Sequence, residues 1–139
     1  MISGFRSVFR LALLLPLLFV VSAADAQPTD TAQREIPRFL VYFDEFSANL
    51  SDEAKSVIAD AAKRARETPA KAIVVQARAS ATGTAETNKY LAQTRCSIVT
   101  DQLVADGIPR TMIKQEPIGQ TGSSDPGIYN RRVDIILEH

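Results

Sequence analysis

The stretch from residue 84 to residue 106 restricts the fold most, because it predicts one long helix packed on a core. Counted at about 100° per residue, Leu91, Val99 and Leu103 lie on one side of that helix, where a core-facing stripe belongs. Gly107 follows the last apolar position and predicts the end of the helix. A chain with such a helix needs a partner layer to cover the stripe.

Two polar residues, Asn88 and Arg95, fall on the same side as the apolar stripe. A guanidinium keeps its proton, so burial without a partner is costly, and its planar fork suits a carboxylate. Three arrangements fit: a ligand's carboxylate, an internal ion pair with Asp44, Glu45 or Glu86, or a side chain that reaches water from near the helix start. For Asn88 we expect a hydrogen bond that fixes the preceding loop, with ligand contact as the alternative.

Two strands and a shorter helix precede this long helix. Phe39–Phe43 is continuously apolar and predicts a strand buried on both faces. Ser51 is a suitable cap for the first helix, and Pro69 predicts its end. Ile73–Val75 predicts a short central strand. The first half of the domain therefore reads strand, helix, strand.

Two strands are predicted after the long helix. The first covers residues 112–119 and is weakened by Pro117. In the second, Val133, Ile135 and Leu137 alternate with more polar positions, which predicts one wet face. The whole order, β-α-β-α-β-β, predicts an α+β fold with two helices on one face of a small mixed four-stranded sheet. A right-handed parallel crossover is expected within it.

The first 26 residues predict a secretory signal peptide. Arg6 and Arg10 precede an apolar run of about a dozen residues, and Ala24 and Ala26 form an A-x-A cleavage site. The run is shorter than the ~20 residues that span a membrane, although an uncleaved anchor helix stays an alternative. We expect residues 27–36 to be a linker and residues 37–139 to form one domain.

Composition argues against several functions. Lys and Arg number 16, as do Asp and Glu, so no basic excess indicates nucleic-acid binding. The only histidine is the terminal His139, and the only cysteine is Cys96, so neither a catalytic triad nor a metal centre is expected. We predict no enzyme activity and no cofactor. Cys96 is expected to be a packed residue, with an intermolecular disulfide as the alternative.

Three stretches resemble one family when taken in order. They are "VYFDEFSANLSDEA" from residue 41, "NKYLAQTRCSIVTDQL" from residue 88 and "YNRRVDIIL" from residue 129. Residues 37–139 therefore resemble the OmpA-like C-terminal domain, which Pal lipoproteins and flagellar stator subunits also carry. The resemblance implies a periplasmic, outer-membrane-associated domain that binds peptidoglycan non-covalently, at the diaminopimelate end of the stem peptide.

The resemblance also implies the site residues. The family's carboxylate-binding arginine falls on Arg95 and its helix asparagine on Asn88, while the glycine that ends its loop falls on Gly83. The loop aspartate that meets the ligand's ammonium falls on Ser80, and "ARASATG" contains no acid. Thr82 and Asp44 complete the expected ligand-binding set.

The missing aspartate leaves two hypotheses open. In the first, the domain binds peptidoglycan, with Ser80, Asp44 or Glu45 near the ammonium. In the second, it keeps the fold, has lost or weakened this binding, and contacts an outer-membrane or other envelope protein instead. For Arg131 and Arg132 the sequence suggests only structural roles at the start of the last strand.

Overall fold

Four strands and two α-helices follow one another in the predicted order β-α-β-α-β-β. They are seen in a computed structural model, which describes residues 36–120 and 127–139. The elements are β1 (Arg38–Tyr42), α1 (Asp52–Glu67), β2 (Ala72–Ala79), α2 (Ala85–Ala105), β3 (Ile113–Gln120) and β4 (Arg132–Glu138). The predicted α+β class is confirmed. The predicted signal peptide, and the linker up to residue 35, lie outside the described residues.

The sheet is mixed and has the strand order β1-β4-β2-β3. β2 pairs in parallel with β3, and β4 pairs antiparallel with both β1 and β2. The prediction that the first strand is buried on both faces is wrong, because β1 is an edge strand with Arg38 and Tyr42 exposed. Its continuous apolar run instead divides between the core and the outer face of the sheet.

Both helices begin directly after a hydroxyl cap, at Ser51 as predicted and at Thr84. The Ser51 hydroxyl accepts from the Ala54 N–H at 3.1 Å, and Thr84 accepts from Thr87 in the same way. Gly107, with φ of +97°, follows the second helix in a backbone conformation that suits glycine. In the described part of the chain, neither helix combines the length and apolarity needed to cross a bilayer.

The core lies between the helices and one face of the sheet. Its largest fully buried apolar side chains include Ile58, Val75, Leu103 and Ile135. Cys96 belongs to this core, where its thiol donates to the Val75 carbonyl at 3.3 Å. Burial raises the pKa of Cys96 to about 11, so the thiol stays protonated and unreactive at neutral pH.

The outer face of β4 is less wet than its alternation predicts. Asp134 is fully buried there, although Val133 and Ile135 on either side face the core. Arg132 Nε lies 2.8 Å from one Asp134 carboxylate oxygen, and Arg38 Nη1 lies 3.4 Å from the other. The two arginine side chains cover the carboxylate, and for this reason a residue expected in solvent is buried.

β3 tolerates Pro117 because it is an edge strand. A register shift follows immediately, so that Ala77 pairs with Pro117 and Arg78 with Gly119. Gly119 has φ of +76°, and a Cβ there would lie 3.3 Å from the Lys89 Cα. The glycine lets β3 approach the first turn of α2 closely.

We predict that Gly119→Ala destabilises the domain by about 1–3 kcal/mol, because it adds left-handed strain and crowds the α2 backbone. Urea unfolding of the purified domain measures this change. Gly127→Ala is the control, since its Cβ would have an ordinary 3.6 Å contact with the end of a flexible arginine. Equal stability of the two variants would contradict the prediction.

Candidate functional site

The predicted site residues come together at one edge of the sheet, namely the edge where β1 and β2 end and β4 begins. β1 and β2 run in the same direction, because each is antiparallel to β4 between them. The segment after β1, the loop after β2 and the residues before β4 therefore meet at this edge. The Phe43 N–H donates to the Arg131 carbonyl at 2.9 Å and joins two of these segments directly.

Arg95 projects from α2 into this edge and is completely buried. Its guanidinium donates to three backbone carbonyls: Nε to Ser47 at 2.8 Å, Nη1 to Arg78 at 3.1 Å and Nη2 to Asp44 at 3.0 Å. The side chain thus ties α2 to the ends of both β1 and β2. Three of its five N–H groups are used in these bonds.

Two of the arrangements that the sequence allowed for Arg95 are not found. The side chain does not reach water, and among the described residues it has no ion pair with Asp44, Glu45, Glu86 or any other carboxylate. Carbonyl oxygens satisfy the guanidinium without neutralising its charge. Whether a ligand carboxylate uses the remaining N–H groups stays a prediction.

The surroundings of Arg95 lower its pKa but leave it charged. Burial, and then the nearby charge of Arg131, lower the pKa of Arg95 to about 10, so it is still charged at neutral pH. The Phe43 ring lies against the guanidinium, with 4.9 Å from Cζ to the ring centroid. The site therefore carries unneutralised positive charge.

The turn after β1 is held in an uncommon conformation. Phe46 has φ of +55°, and its side chain is 64% exposed. A non-glycine residue in this region costs on the order of 1–3 kcal/mol and persists only where its surroundings impose it. The bonds from Arg95 to the carbonyls of Asp44 and Ser47 fix both ends of this turn.

Two side chains of the predicted loop form a hydrogen-bonded chain with Glu45 of the turn after β1. The Ser80 and Thr82 hydroxyls lie 2.9 Å apart, and the Thr82 hydroxyl donates to Glu45 Oε1 at 3.2 Å. Ser80 is buried, whereas Thr82 and Glu45 are exposed. The loop after β2 thus contacts the turn after β1 through a carboxylate that the sequence analysis offered as one alternative near the ammonium.

Asn88 and Gly83 shape the same loop. Asn88 is fully buried, and its Nδ2 donates to the Thr82 carbonyl at 2.9 Å, which is the loop-fixing bond expected from the sequence. Its Oδ1 has no hydrogen-bond partner. Gly83, with φ of +92°, supplies the backbone conformation that precedes the Thr84 cap.

A groove of about 350 Å³ opens beside the buried guanidinium. Its lining includes Tyr42, Phe43, Asp44, Asn49, Ile128 and Arg131. Neither Arg95 nor Ser80 lines it, so Phe43 and Asp44 are the residues that connect the groove to Arg95. Arg131 contributes the positive side chain of the groove.

Arg131 is the residue that sequence reasoning missed. Its Nε is buried and has no hydrogen-bond partner. Consecutive residues at a strand point to opposite faces, so one arginine of the pair had to face away from the outer side of the sheet. Arg132 binds Asp134 on the outer face, and Arg131 is the one that lines the groove.

A larger cavity of about 710 Å³ lies at the other end of the sheet, near Ile36, Leu137 and His139. The charged side chains that line it are exposed, so it lacks the sheltered charge of the Arg95 edge. Nowhere in residues 36–120 and 127–139 do three or more His, Cys, Asp or Glu side chains come together as a metal would require.

Comparison with known proteins identifies the fold family. The model of the OmpA family matches residues 42–131, which include both segments that contact Arg95 and end immediately before β4. The chain belongs to the OmpA family. No curated protein matches it significantly in sequence.

Solved structures agree with this assignment. The peptidoglycan-associated lipoprotein from Burkholderia pseudomallei is similar with a TM-score of 0.65 and 24% identity, over 72% of this chain and 90% of that one. The OmpA-like domain of FopA1 from Francisella tularensis is similar with a TM-score of 0.63 and 20% identity, over 72% of this chain and 70% of that one. The C-terminal domain of Helicobacter pylori MotB is similar with a TM-score of 0.60 and 21% identity, over 75% of this chain and 85% of that one. At these identities the likeness shows the shared fold.

We predict that Arg95→Lys destabilises the domain by about 2–5 kcal/mol, because an ammonium cannot reach three carbonyls held around a planar fork. Urea unfolding measures the loss. Arg110→Lys is the control, since Arg110 has only an exposed ion pair with Asp101. An Arg95→Lys domain as stable as wild type would contradict the structural role assigned here.

We predict the opposite sign for Arg131→Gln, which removes the charge that repels Arg95. Stability at neutral pH should rise by about 0.2–1 kcal/mol, since the two charges interact across a partly exposed groove. The gain should shrink in high salt, because screening already weakens this repulsion in the wild type. Urea unfolding at low and at high salt checks both statements, and a loss of stability at low salt would refute them.

Proposed function

We propose that this domain binds peptidoglycan non-covalently, through the diaminopimelate end of the stem peptide, in the groove beside Arg95. The observation that carries the proposal is the pair of arginines at one edge of the sheet. Among the described residues, neither Arg95 nor Arg131 has a carboxylate partner. A sheltered cationic site of this kind favours an anionic ligand group.

The two arginines are proposed to act differently. Arg131 lines the groove, and it is therefore the direct contact proposed for a ligand carboxylate. Arg95 supports the site from below, since it holds the turn after β1 and adds positive charge. Direct contact with Arg95 would require its two remaining N–H groups to become accessible.

Similar proteins are consistent with this proposal. The similar structure from Burkholderia pseudomallei is a peptidoglycan-associated lipoprotein, and the Helicobacter pylori structures are domains of MotB, several of them described as periplasmic. With the predicted signal peptide, this supports a periplasmic, cell-envelope location. We propose a binding domain rather than an enzyme.

A second candidate function rests on the burial of Arg95. Its three carbonyl bonds suffice to explain why the residue is present without any ligand. In that case the domain keeps the fold for contact with an outer-membrane or other envelope protein, and has lost peptidoglycan binding. The position of Ser80, where an acid is expected, motivates this alternative.

Co-sedimentation with purified diaminopimelate-type peptidoglycan tests the proposal. The wild-type domain should pellet at low salt, and Arg131→Gln should weaken binding by about 10-fold or more, the effect of losing a charged hydrogen bond. Arg131→Gln is preferred over an Arg95 variant because it leaves the three carbonyl bonds intact.

Arg110→Gln provides the matched control, because it removes the same charge from the surface. It should bind like the wild type. A wild-type domain that stays in the supernatant at low salt would refute peptidoglycan binding and favour the second function. If both variants lost peptidoglycan binding equally, the effect of Arg131→Gln would be due to non-specific charge attraction.

A further inference from the structure

Glu45 is the acidic side chain that the loop after β2 brings into the site. No acid lies in that loop, but its hydroxyls lead to one from the neighbouring turn. The geometry points to Glu45 as the carboxylate that binds the ligand's ammonium group. This inference rests on the proposed function, because it names the residue that recognises one charge of that ligand.

The hydrogen-bond directions in the chain are determined by counting protons. The Thr82 N–H donates to Ser80 Oγ at 3.2 Å, and the Thr82 hydroxyl donates to Glu45 Oε1. Thr82 has a single hydroxyl proton, so the Ser80 hydroxyl must donate to Thr82 Oγ1. The chain therefore runs from Ser80 through Thr82 to Glu45, and both hydroxyl protons point toward the carboxylate.

This direction leaves Ser80 poorly suited to bind an ammonium itself. Its Oγ already accepts from one N–H, its proton is committed to Thr82, and the residue is only 5% exposed. Glu45 is different, because a carboxylate offers about four acceptor positions and the hydroxyl chain uses one. Its other acceptor positions suit the three N–H donors of an ammonium.

The charges around Glu45 fit a ligand that carries both signs. Among the described residues Glu45 has no ion pair, and it is exposed. Its neighbour Asp44 lines the groove and gives its carbonyl to Arg95. Glu45 itself does not line the groove, but it follows Asp44 directly in the chain. Its carboxylate and the two guanidiniums supply both signs of charge for an amino-acid head group, whose ammonium and carboxylate sit on one carbon.

A thermodynamic cycle tests whether Glu45 and the ammonium interact. Binding of wild type and Glu45→Gln is measured on peptidoglycan with free amines and on peptidoglycan whose amines are acetylated to neutral amides. We expect Glu45→Gln to weaken binding to the free-amine form by about 3- to 30-fold. The lower figure is the effect of losing an exposed ion pair, and the upper one is the effect of losing a sheltered charged hydrogen bond. Acetylation should weaken wild type by a similar factor and leave Glu45→Gln nearly unchanged.

Glu67→Gln is the matched control, because it removes the same charge at the far end of α1. It should respond to acetylation like the wild type. A second variant, Thr82→Val, removes the hydroxyl that positions Glu45 and should weaken binding by about 2- to 5-fold, while keeping sensitivity to acetylation.

The outcomes separate this inference from the function beneath it. If the wild type binds but acetylation weakens wild type and Glu45→Gln equally, Glu45 is not the ammonium partner, and peptidoglycan binding stands. Loss in Glu67→Gln as large as in Glu45→Gln would also overturn the role of Glu45. If the wild type binds neither form, both the proposed function and this inference fail.

Discussion

The site edge of this domain depends on one buried cation bound to three carbonyl groups. Two of the carbonyls that Arg95 binds belong to the turn after β1, and the third lies near the end of β2, so one side chain from α2 holds both strand ends in place. A buried guanidinium is stable only when its donors are satisfied, and backbone oxygens satisfy them without adding negative charge. The interaction therefore organises the turn at Phe46 and leaves its positive charge unneutralised.

This arrangement links stability to binding. A carboxylate bonded to Arg95 would also have accepted hydrogen bonds from its guanidinium but would have neutralised the site. Because the partners are carbonyls, the charge remains. Burial, and after it the nearby charge of Arg131, lower the pKa of Arg95. Placing two like charges together where they repel is typical of sites that bind an opposite charge. The strained φ of Phe46 in the same turn fits this pattern.

Much of the architecture could be predicted because the local signals agreed with one another. Helical spacing, the cap at Ser51 and the stop at Gly107 are all local, and each is found where expected. The predictions of burial were wrong where burial depends on strands or side chains that are distant in the sequence. Among the described strands β1 pairs with β4 alone and is therefore an edge strand, and Asp134 is buried because two arginine side chains cover it.

The amino-acid sequence by itself determined the order of elements and the presence of a guanidinium on the buried side of α2, since periodicity and chain order fix both. It left the partner of that guanidinium open between ligand, internal acid and water. Only the tertiary structure decided that three carbonyls bind this guanidinium, that Arg131 faces the groove and that Glu45 is hydrogen-bonded to the loop that contains Ser80. These contacts join residues far apart in the chain, and their geometry follows from strand pairing and loop closure rather than from local pattern.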